Sequence, residues 1–147
     1  MRDALLDTLE STLGTRPGAL EPLAGGCVGE VYRARTPGSA DVVVKLDRSD
    51  RPRLDVEGAM LAYLAEHSDL PVPAVLLARP DLLVIEFVET GPATPRADLH
   101  AADCLAALHA IRPTDGRFGF PFDTLIGGLA QPNAATPSWL EFFRDRR

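Results

Sequence analysis

Cysteine is scarce in this sequence. Only Cys27 and Cys104 occur among 147 residues, far apart and outside any Cys-x-x-Cys pair. This spacing indicates neither a disulfide framework nor a cysteine zinc site. The first residues, Met1-Arg2-Asp3-Ala4, also lack the apolar core of a signal peptide. We therefore expect a cytoplasmic location.

Basic residues and long apolar runs are also few. Fifteen Lys and Arg against twenty-one Asp and Glu leave a formal net charge of −6, the wrong sign for a protein that grips a nucleic-acid backbone along a broad face. The longest apolar candidate, residues 70–88, is broken by Arg79, Pro80, Asp81 and Glu86, so it falls short of a membrane span of about 18 residues. We expect neither a nucleic-acid nor a membrane partner.

The remaining composition, 46% hydrophobic and 24% charged, is that of an ordinary globular chain, and its patterns predict a mixed α+β fold. Helical spacing of leucines ends near Gly14 and predicts a lead-in helix. A second helical period predicts a helix over residues 53–66. Valine-rich runs separated by turn residues predict five antiparallel strands at about 19–25, 28–35, 41–46, 74–78 and 82–88.

A domain boundary is predicted at Gly91-Pro92-Ala93-Thr94-Pro95, which is rich in prolines and small residues. We expect residues 1–90 to form one domain and residues 91–147 to form a linker and the beginning of a helical one. In residues 91–147, the sequence pattern predicts a helix over 99–111 and an irregular segment over 112–137. It also predicts a final helix that starts at the capping box Ser138-Trp139-Leu140-Glu141. Leu105, Leu108 and Ile111 are the expected apolar anchors of the first helix.

A glycine-rich stretch lies between the first two predicted strands, Ala24-Gly25-Gly26-Cys27-Val28-Gly29-Glu30-Val31. Glycines let the backbone approach a phosphate closely and adopt unusual dihedral angles. A glycine pair between strands is more often just a plain hairpin turn. Taken alone, the stretch leaves both interpretations open.

Lys45 ends the apolar run Val42-Val43-Val44, and Glu57 lies on or near the buried stripe of the following helix. A partly buried ammonium or carboxylate is costly without a partner, so we expect these two side chains to form an ion pair. A purely structural ion pair is the alternative. However, the order of the features along the chain resembles the nucleotide-binding lobe of protein-kinase-like phosphotransferases. In both, a glycine loop is followed by a strand lysine, a helix glutamate and a hairpin, which here ends in residues 83–88. Ala24 departs from that pattern, because it stands where the first loop glycine would be.

Further motifs narrow the resemblance. They are Leu105-Ala106-Ala107-Leu108-His109, Phe118-Gly119-Phe120, Asp123, Ile126-Gly127, Gln131-Pro132-Asn133 and Trp139-Leu140-Glu141-Phe142-Phe143. Together with the glycine-rich stretch, they resemble the fructosamine kinase (ketosamine-3-kinase) family over nearly the whole chain. The resemblance implies transfer of the ATP γ-phosphoryl group to the sugar 3-hydroxyl of ketoamines on amines or proteins, after which the adduct breaks down and frees the amine.

The resemblance also implies where ATP binds. Lys45 would hold the α- and β-phosphates, Glu57 would hold Lys45, and the backbone of Gly25, Gly26, Cys27, Val28 and Gly29 would cover the phosphates. The backbone of Glu86, Phe87 and Val88 would contact adenine. The segment from Phe118 to Asn133 either borders the ketoamine pocket or packs between the lobes.

The resemblance places the catalytic base and the Mg²⁺ ligands in a second, helical lobe, in a His-Gly-Asp-x-x-x-x-Asn-like loop that this sequence does not contain. We therefore expect the chain to be a fragment or a truncated gene product that does not phosphorylate a ketoamine alone. Two alternatives stay open: a non-catalytic module that binds nucleotide or a partner, and another small-molecule kinase of the aminoglycoside or choline kinase type.

Cys27 adds a redox hypothesis. A thiol in a glycine-rich loop near Lys45 would favour the thiolate, and it would then be oxidisable and able to link two chains as a dimer. The alternative is a small buried hydrophobic residue.

Overall fold

The computed structural model describes residues 2–24 and 29–147. The four helices are α1 (Arg2–Leu13), α2 (Leu54–His67), α3 (Pro95–Ala110) and α4 (Trp139–Arg146). The strands are β1 (Ala19–Pro22), β2 (Glu30–Arg35), β3 (Val42–Leu46), β4 (Val75–Arg79), β5 (Leu82–Glu86), β6 (Thr124–Ile126) and β7 (Leu129–Gln131). These elements confirm the predicted α+β class, with five antiparallel strands in the first sheet.

The chain divides into two compact units. The first comprises Met1–Tyr63 and Val72–Thr90, and the second comprises Leu64–Pro71 and Gly91–Arg147. No helix in the two described ranges is both long and apolar enough to cross a membrane.

The sheet of the first unit has the strand order β1-β2-β3-β5-β4. The strands β3 and β5 lie at its centre because they carry the valine, leucine and isoleucine runs that favour strands buried on both faces. In the register, Lys45 of β3 stands opposite Val31 of β2 and Leu83 of β5. The strand lysine is therefore held inside the sheet and not at its edge.

A separate apolar core covers each face of this sheet, because side chains alternate along a strand. On one face, Leu9 of α1 packs in a cluster with Val44 and Val84. On the other face, Leu54 of α2 packs with Leu83 and Ile85. Full burial of each such side chain contributes roughly 1.5–3 kcal/mol. Lys45 shares the α2 face with Val43, two residues before it on the same strand.

The second unit contains α3, the hairpin β6–β7 and α4. Thr94 caps α3, its hydroxyl accepting a hydrogen bond from the Ala97 N–H at 3.2 Å. Ser138 caps α4 as predicted, because its hydroxyl accepts from the Glu141 N–H.

Several predicted boundaries were wrong. The second strand begins at Glu30, since Gly29 before it has a φ of +79° that is foreign to a regular strand. Residue 28, its predicted start, lies outside the described residues. The first strand ends at Pro22 and the fifth at Glu86, and the other boundaries shift by about one residue. The helix predicted over 99–111 begins at Pro95, since proline fits the first helical position and Thr94 supplies the cap.

Two further expectations for the second unit were wrong. No residue of α3 is buried. Leu105 and Ile111 are about half exposed and Leu108 is half-buried, so none of the three expected anchors is a core residue in the described part of the chain. The segment 112–137 is not wholly irregular, because the pair Gly127-Gly128 turns it into the hairpin β6–β7. Gly127 has a φ of +58°, as such a two-residue turn requires.

Candidate functional site: a lysine–glutamate pair beside a close-packed glycine

The predicted ion pair between Lys45 and Glu57 is confirmed. The Lys45 Nζ contacts the Glu57 Oε1 directly. Gly58 explains how α2 comes near enough, since a Cβ at this position would lie 2.6 Å from the Ala78 Cβ and 3.1 Å from the Leu83 Cδ1. Glycine at 58 therefore lets the helix sit against the sheet, and Glu57 reaches the lysine of β3.

The pair is neither buried nor fully solvated. The Lys45 side chain is 25% exposed and that of Glu57 is 39% exposed. An ion pair so exposed contributes little to stability. An ammonium has three N–H donors, and Glu57 accepts from it through one carboxylate oxygen. The lysine is thus held in place and keeps donors for an anion.

Gly29 is the one residue of the predicted phosphate loop that the structure describes. Its φ is +79°, and a Cβ added here would collide with the carbonyl oxygen of Leu46. Leu46 directly follows Lys45 in β3. The last residue of the predicted loop, Gly29, therefore packs against the strand that carries the lysine. The other predicted loop residues lie outside the described residues: Gly25, Gly26, Cys27 and Val28. The redox hypothesis for Cys27 therefore stays a prediction.

The predicted adenine-contacting segment has two of its three N–H groups already bonded. The Glu86 N–H donates to the Ala74 carbonyl at 2.9 Å, and the Phe87 N–H donates to the Asp41 carbonyl at 3.2 Å. The Glu86 carboxylate accepts from the Ala74 N–H at 3.2 Å. Val88 is 57% exposed, and its N–H has no acceptor within the described ranges. The Val88 N–H is therefore the donor of this segment that a ligand can use.

Arg33 is a residue that the sequence interpretation missed. Its guanidinium carbon lies 3.8 Å from the centre of the Phe87 ring, and its Nη2 lies 2.6 Å from the Asp41 Oδ2. The hydrogen bond from the Thr36 N–H, followed by those from Arg33 and Arg35, lowers the pKa of Asp41 below its usual value. The resulting carboxylate fixes Arg33 over Phe87. No sequence signal indicated this pairing, because the three residues belong to different strands and turns.

The segment from Phe118 to Asn133 is tied together by its own hydrogen bonds. Asn133 is 1% exposed, and its side-chain amide donates to the Phe122 carbonyl at 3.0 Å and to the Thr124 hydroxyl at 2.8 Å. Its side-chain Oδ1 accepts from both terminal nitrogens of Arg147 at 3.1 Å. The Asn133 side chain is thus fully hydrogen-bonded within the second unit and has no donor left for a sugar.

The described residues do not assemble a metal site. No three His, Cys, Asp or Glu side chains come together as metal ligands in ranges 2–24 and 29–147.

A strand lysine paired to a helix glutamate, beside a glycine packed against the same strand, is an arrangement typical of the kinase-like fold. The family model described as "Fructosamine kinase" matches residues 1–147. The chain belongs to the fructosamine kinase family.

Individual relatives agree with this assignment. A protein named "probable ketoamine kinase" from Synechocystis is 29% identical over 130 residues, which are 85% of this chain and 43% of the relative. A chloroplastic protein-ribulosamine 3-kinase from Oryza sativa subsp. japonica is 27% identical over 139 residues, 90% of this chain and 40% of the relative.

Solved structures resemble the chain over almost its whole length. A crystal structure from Haemophilus somnus, named "putative fructosamine-3-kinase", is 27% identical with a TM-score of 0.81 and covers 97% of this chain and 50% of that one. The chain thus spans half or less of the length of these relatives.

Proposed function

We propose that this chain carries the ATP-binding part of an enzyme that phosphorylates ketosamines, the sugar adducts of amines. In this proposal, residues 1–90 form the nucleotide-binding lobe and residues 91–147 form a linker and the beginning of the helical lobe. The Lys45–Glu57 ion pair carries the proposal, since its geometry leaves a positioned ammonium with donors for phosphate oxygens. The family match supports the same assignment.

Each described site residue has a role in holding the nucleotide. Lys45 donates to the α- and β-phosphate oxygens, and Glu57 keeps the ammonium on the α2 face of the sheet. Gly29 keeps the end of the phosphate loop close to β3. The Val88 N–H meets the adenine edge, and Arg33 holds the neighbouring Phe87 in place. ATP supplies the phosphoryl group when it is bound.

The names of the relatives support a substrate class. Their names describe ketoamine and protein-ribulosamine kinases, and we propose that the acceptor here is likewise the 3-hydroxyl of a ketoamine. Phosphorylation of that hydroxyl would let the adduct break down and free the amine, which makes the proposed activity a deglycation step. We further propose a cytoplasmic location.

The test is the substitution Lys45→Met in a chain of the relatives' full length that includes these 147 residues. Turnover of a fructosyl-amine with Mg²⁺ and ATP is followed by the mass of the phosphorylated product. We expect a loss of about 100-fold or more, because a charge on the phosphates in the transition state is removed.

The control is Arg51→Met, which removes an exposed cation of the same unit that lies outside the site. It should leave turnover within about twofold of wild type. Near wild-type turnover of Lys45→Met would contradict the proposal, and so would a wild-type chain that phosphorylates another small molecule but no ketoamine.

A further inference from the structure

The chain segment after β5 is held from two sides. The Glu86 N–H and carboxylate are both bonded to the backbone of Ala74. The next residue, Phe87, donates its N–H to the Asp41 carbonyl at 3.2 Å. Val88 comes directly after Phe87, and its N–H has no acceptor within the described ranges. The position of this donor is therefore set by the contacts of Phe87.

The Asp41 carboxylate holds Phe87 by a second route, through Arg33. Its Oδ2 lies 2.7 Å from the Arg33 Nε and 2.6 Å from the Nη2, so two nitrogens of one guanidinium contact it. The carbon of this guanidinium lies 3.8 Å from the centre of the Phe87 ring, inside the range of a cation–π contact, about 6 Å. The side chains of Arg33 and Asp41 are only 19% and 17% exposed, so salt screens this ion pair less than one on the open surface. Asp41 thus fixes the Phe87 backbone through its carbonyl and the Phe87 ring through Arg33.

The connection between β2 and β3 keeps Asp41 itself in place. The Asp41 Oδ1 accepts from the Thr36 N–H at 3.1 Å, and its Oδ2 also accepts from the Arg35 Nη1 at 3.0 Å. The Ser39 N–H donates to the Thr36 carbonyl at 3.2 Å, which closes the connection into a turn. Groups that are ordered before a ligand arrives do not lose that freedom on binding. The contacts of Asp41 therefore give the segment after β5 a preformed position.

This network lies on the same face of the sheet as Lys45. Arg33 stands opposite Val43 in the register, and the side chains of directly opposite residues point to the same face. Val43 and Lys45 share a face because they are two residues apart on β3. Asp41 precedes Lys45 by four residues, a span of about 13 Å along an extended strand. The network and the lysine therefore lie apart on one face, as the base and the phosphates of a single nucleotide require.

We propose that Asp41 and Arg33 are positioning residues for the adenine part of ATP, because they hold Phe87 and thereby aim the Val88 N–H. The inference rests on the proposed function, in which adenine meets Val88 and the phosphates meet Lys45. Lys45 is held by Glu57, outside this network. Loss of the network therefore weakens the binding of ATP and leaves the binding of a bare phosphate chain unchanged.

The test is isothermal titration calorimetry of the 147-residue chain with Mg²⁺ and ATP, and separately with Mg²⁺ and tripolyphosphate, a phosphate chain without adenosine. Arg33→Met should raise the Kd of ATP about fivefold or more, since Phe87 loses the guanidinium on its ring, and should leave the Kd of tripolyphosphate unchanged. Asp41→Asn should act in the same direction. Its amide keeps an acceptor for the Thr36 N–H but lacks the charge that holds Arg33.

Arg35→Met is the matched control, because it removes a second arginine bonded to the Asp41 carboxylate and leaves Arg33 over Phe87. It should leave the Kd of each ligand within about twofold of wild type. An ATP Kd for Arg33→Met equal to that of wild type would overturn the inference alone. Equal losses for ATP and tripolyphosphate in Arg33→Met would also overturn it, since they would show a general structural role. A wild-type chain that binds neither ligand would overturn the proposed function and the inference with it.

Discussion

Lys45 is the only lysine in the sequence, beside fourteen arginines. An ammonium is a compact charge with three donors, whereas a guanidinium is a planar fork that suits a single carboxylate or phosphate. At the end of β3, the compact group can donate to Glu57 and to a neighbouring anion together. The rarity of lysine in the sequence therefore points to Lys45, the same residue that its spacing from the glycine-rich stretch and from Glu57 indicates.

Gly29 is held close to β3 by its backbone conformation, so its replacement tests how much this close contact contributes to stability. We expect Gly29→Ala to lower the urea midpoint more than Gly14→Ala does. Both glycines have positive φ, +79° and +71°, and alanine there costs about 1–2 kcal/mol. Only at 29 would the new Cβ also collide with the Leu46 carbonyl, whereas nothing lies within 4 Å at 14. Equal midpoints for the two variants would show that the close approach to β3 is unimportant.

Among the elements, the central strands were the most predictable. The Val42–Leu46 and Leu82–Glu86 runs are apolar on both faces, and α2 shows a clear helical period, so local pattern and packing agree. The Lys45–Glu57 contact also followed from this pattern, because both groups needed a partner. Strand ends were less predictable, since they depend on backbone angles such as the positive φ of Gly29.

The hairpin β6–β7 was missed because each strand has only three residues, too few to show alternation. The signal that could have found it is the Gly127-Gly128 pair between two apolar residues, Ile126 and Leu129. The Arg33–Phe87 contact had no such signal. It depends on the register of β2 and on the path of the chain after β5, and neither can be obtained from spacing.

Two of the motifs that carry the family resemblance, Phe118-Gly119-Phe120 and the one that begins at Trp139, contact each other in the second unit. Phe118 and Thr136 exchange backbone hydrogen bonds at 2.8 Å, and Gly119 is required there because a Cβ would lie 2.7 Å from the Asn133 carbonyl oxygen. The ring centres of Trp139 and Phe118 are 5.9 Å apart. For Asn133, the hydrogen bonds favour a packing role over contact with a ketoamine.

Asn133 should therefore be critical for the stability of the second unit. We expect Asn133→Ala to lower the urea midpoint seen by the fluorescence of Trp139, the only tryptophan. The loss should be about 3 kcal/mol, because the Phe122 carbonyl and the Arg147 guanidinium lose their buried partner. Gln131→Ala is the control, since the Gln131 side chain donates to two backbone carbonyls and to no side chain within the described residues. An Asn133→Ala loss no larger than that of Gln131→Ala would contradict the packing role.

At the scale of the whole molecule, apolar exposure is distributed unevenly. The first unit has a buried core on each sheet face. Most of the large apolar side chains that are exposed belong instead to the second unit, namely Leu99, Leu105, Ile111, Ile126, Leu129, Trp139, Leu140 and Phe143. An exposed apolar surface of this kind favours association.

We expect the 147-residue chain to self-associate with rising concentration in sedimentation velocity runs under reducing conditions, which remove any Cys27 disulfide. Leu140→Glu and Phe143→Glu should weaken this association, because each places a charge on the exposed face of α4. Leu76→Glu, at an exposed leucine of the first unit, is the control and should not. A chain that stays monomeric would contradict the expectation that the exposed apolar side chains of the second unit drive self-association. An equal effect of Leu76→Glu would also contradict it.

The central claim, that Lys45 contacts the phosphates of ATP, is tested most directly by acylating the 147-residue chain with a succinimidyl ester. Lys45 and the α-amino group of Met1 are the only amines, so mass spectrometry resolves each rate separately. With Mg²⁺ and ATP at about four times its Kd, Lys45 acylation should slow about fivefold, while adenosine leaves it unchanged and Met1 reacts at its original rate. An unchanged Lys45 rate at saturating ATP would contradict the account.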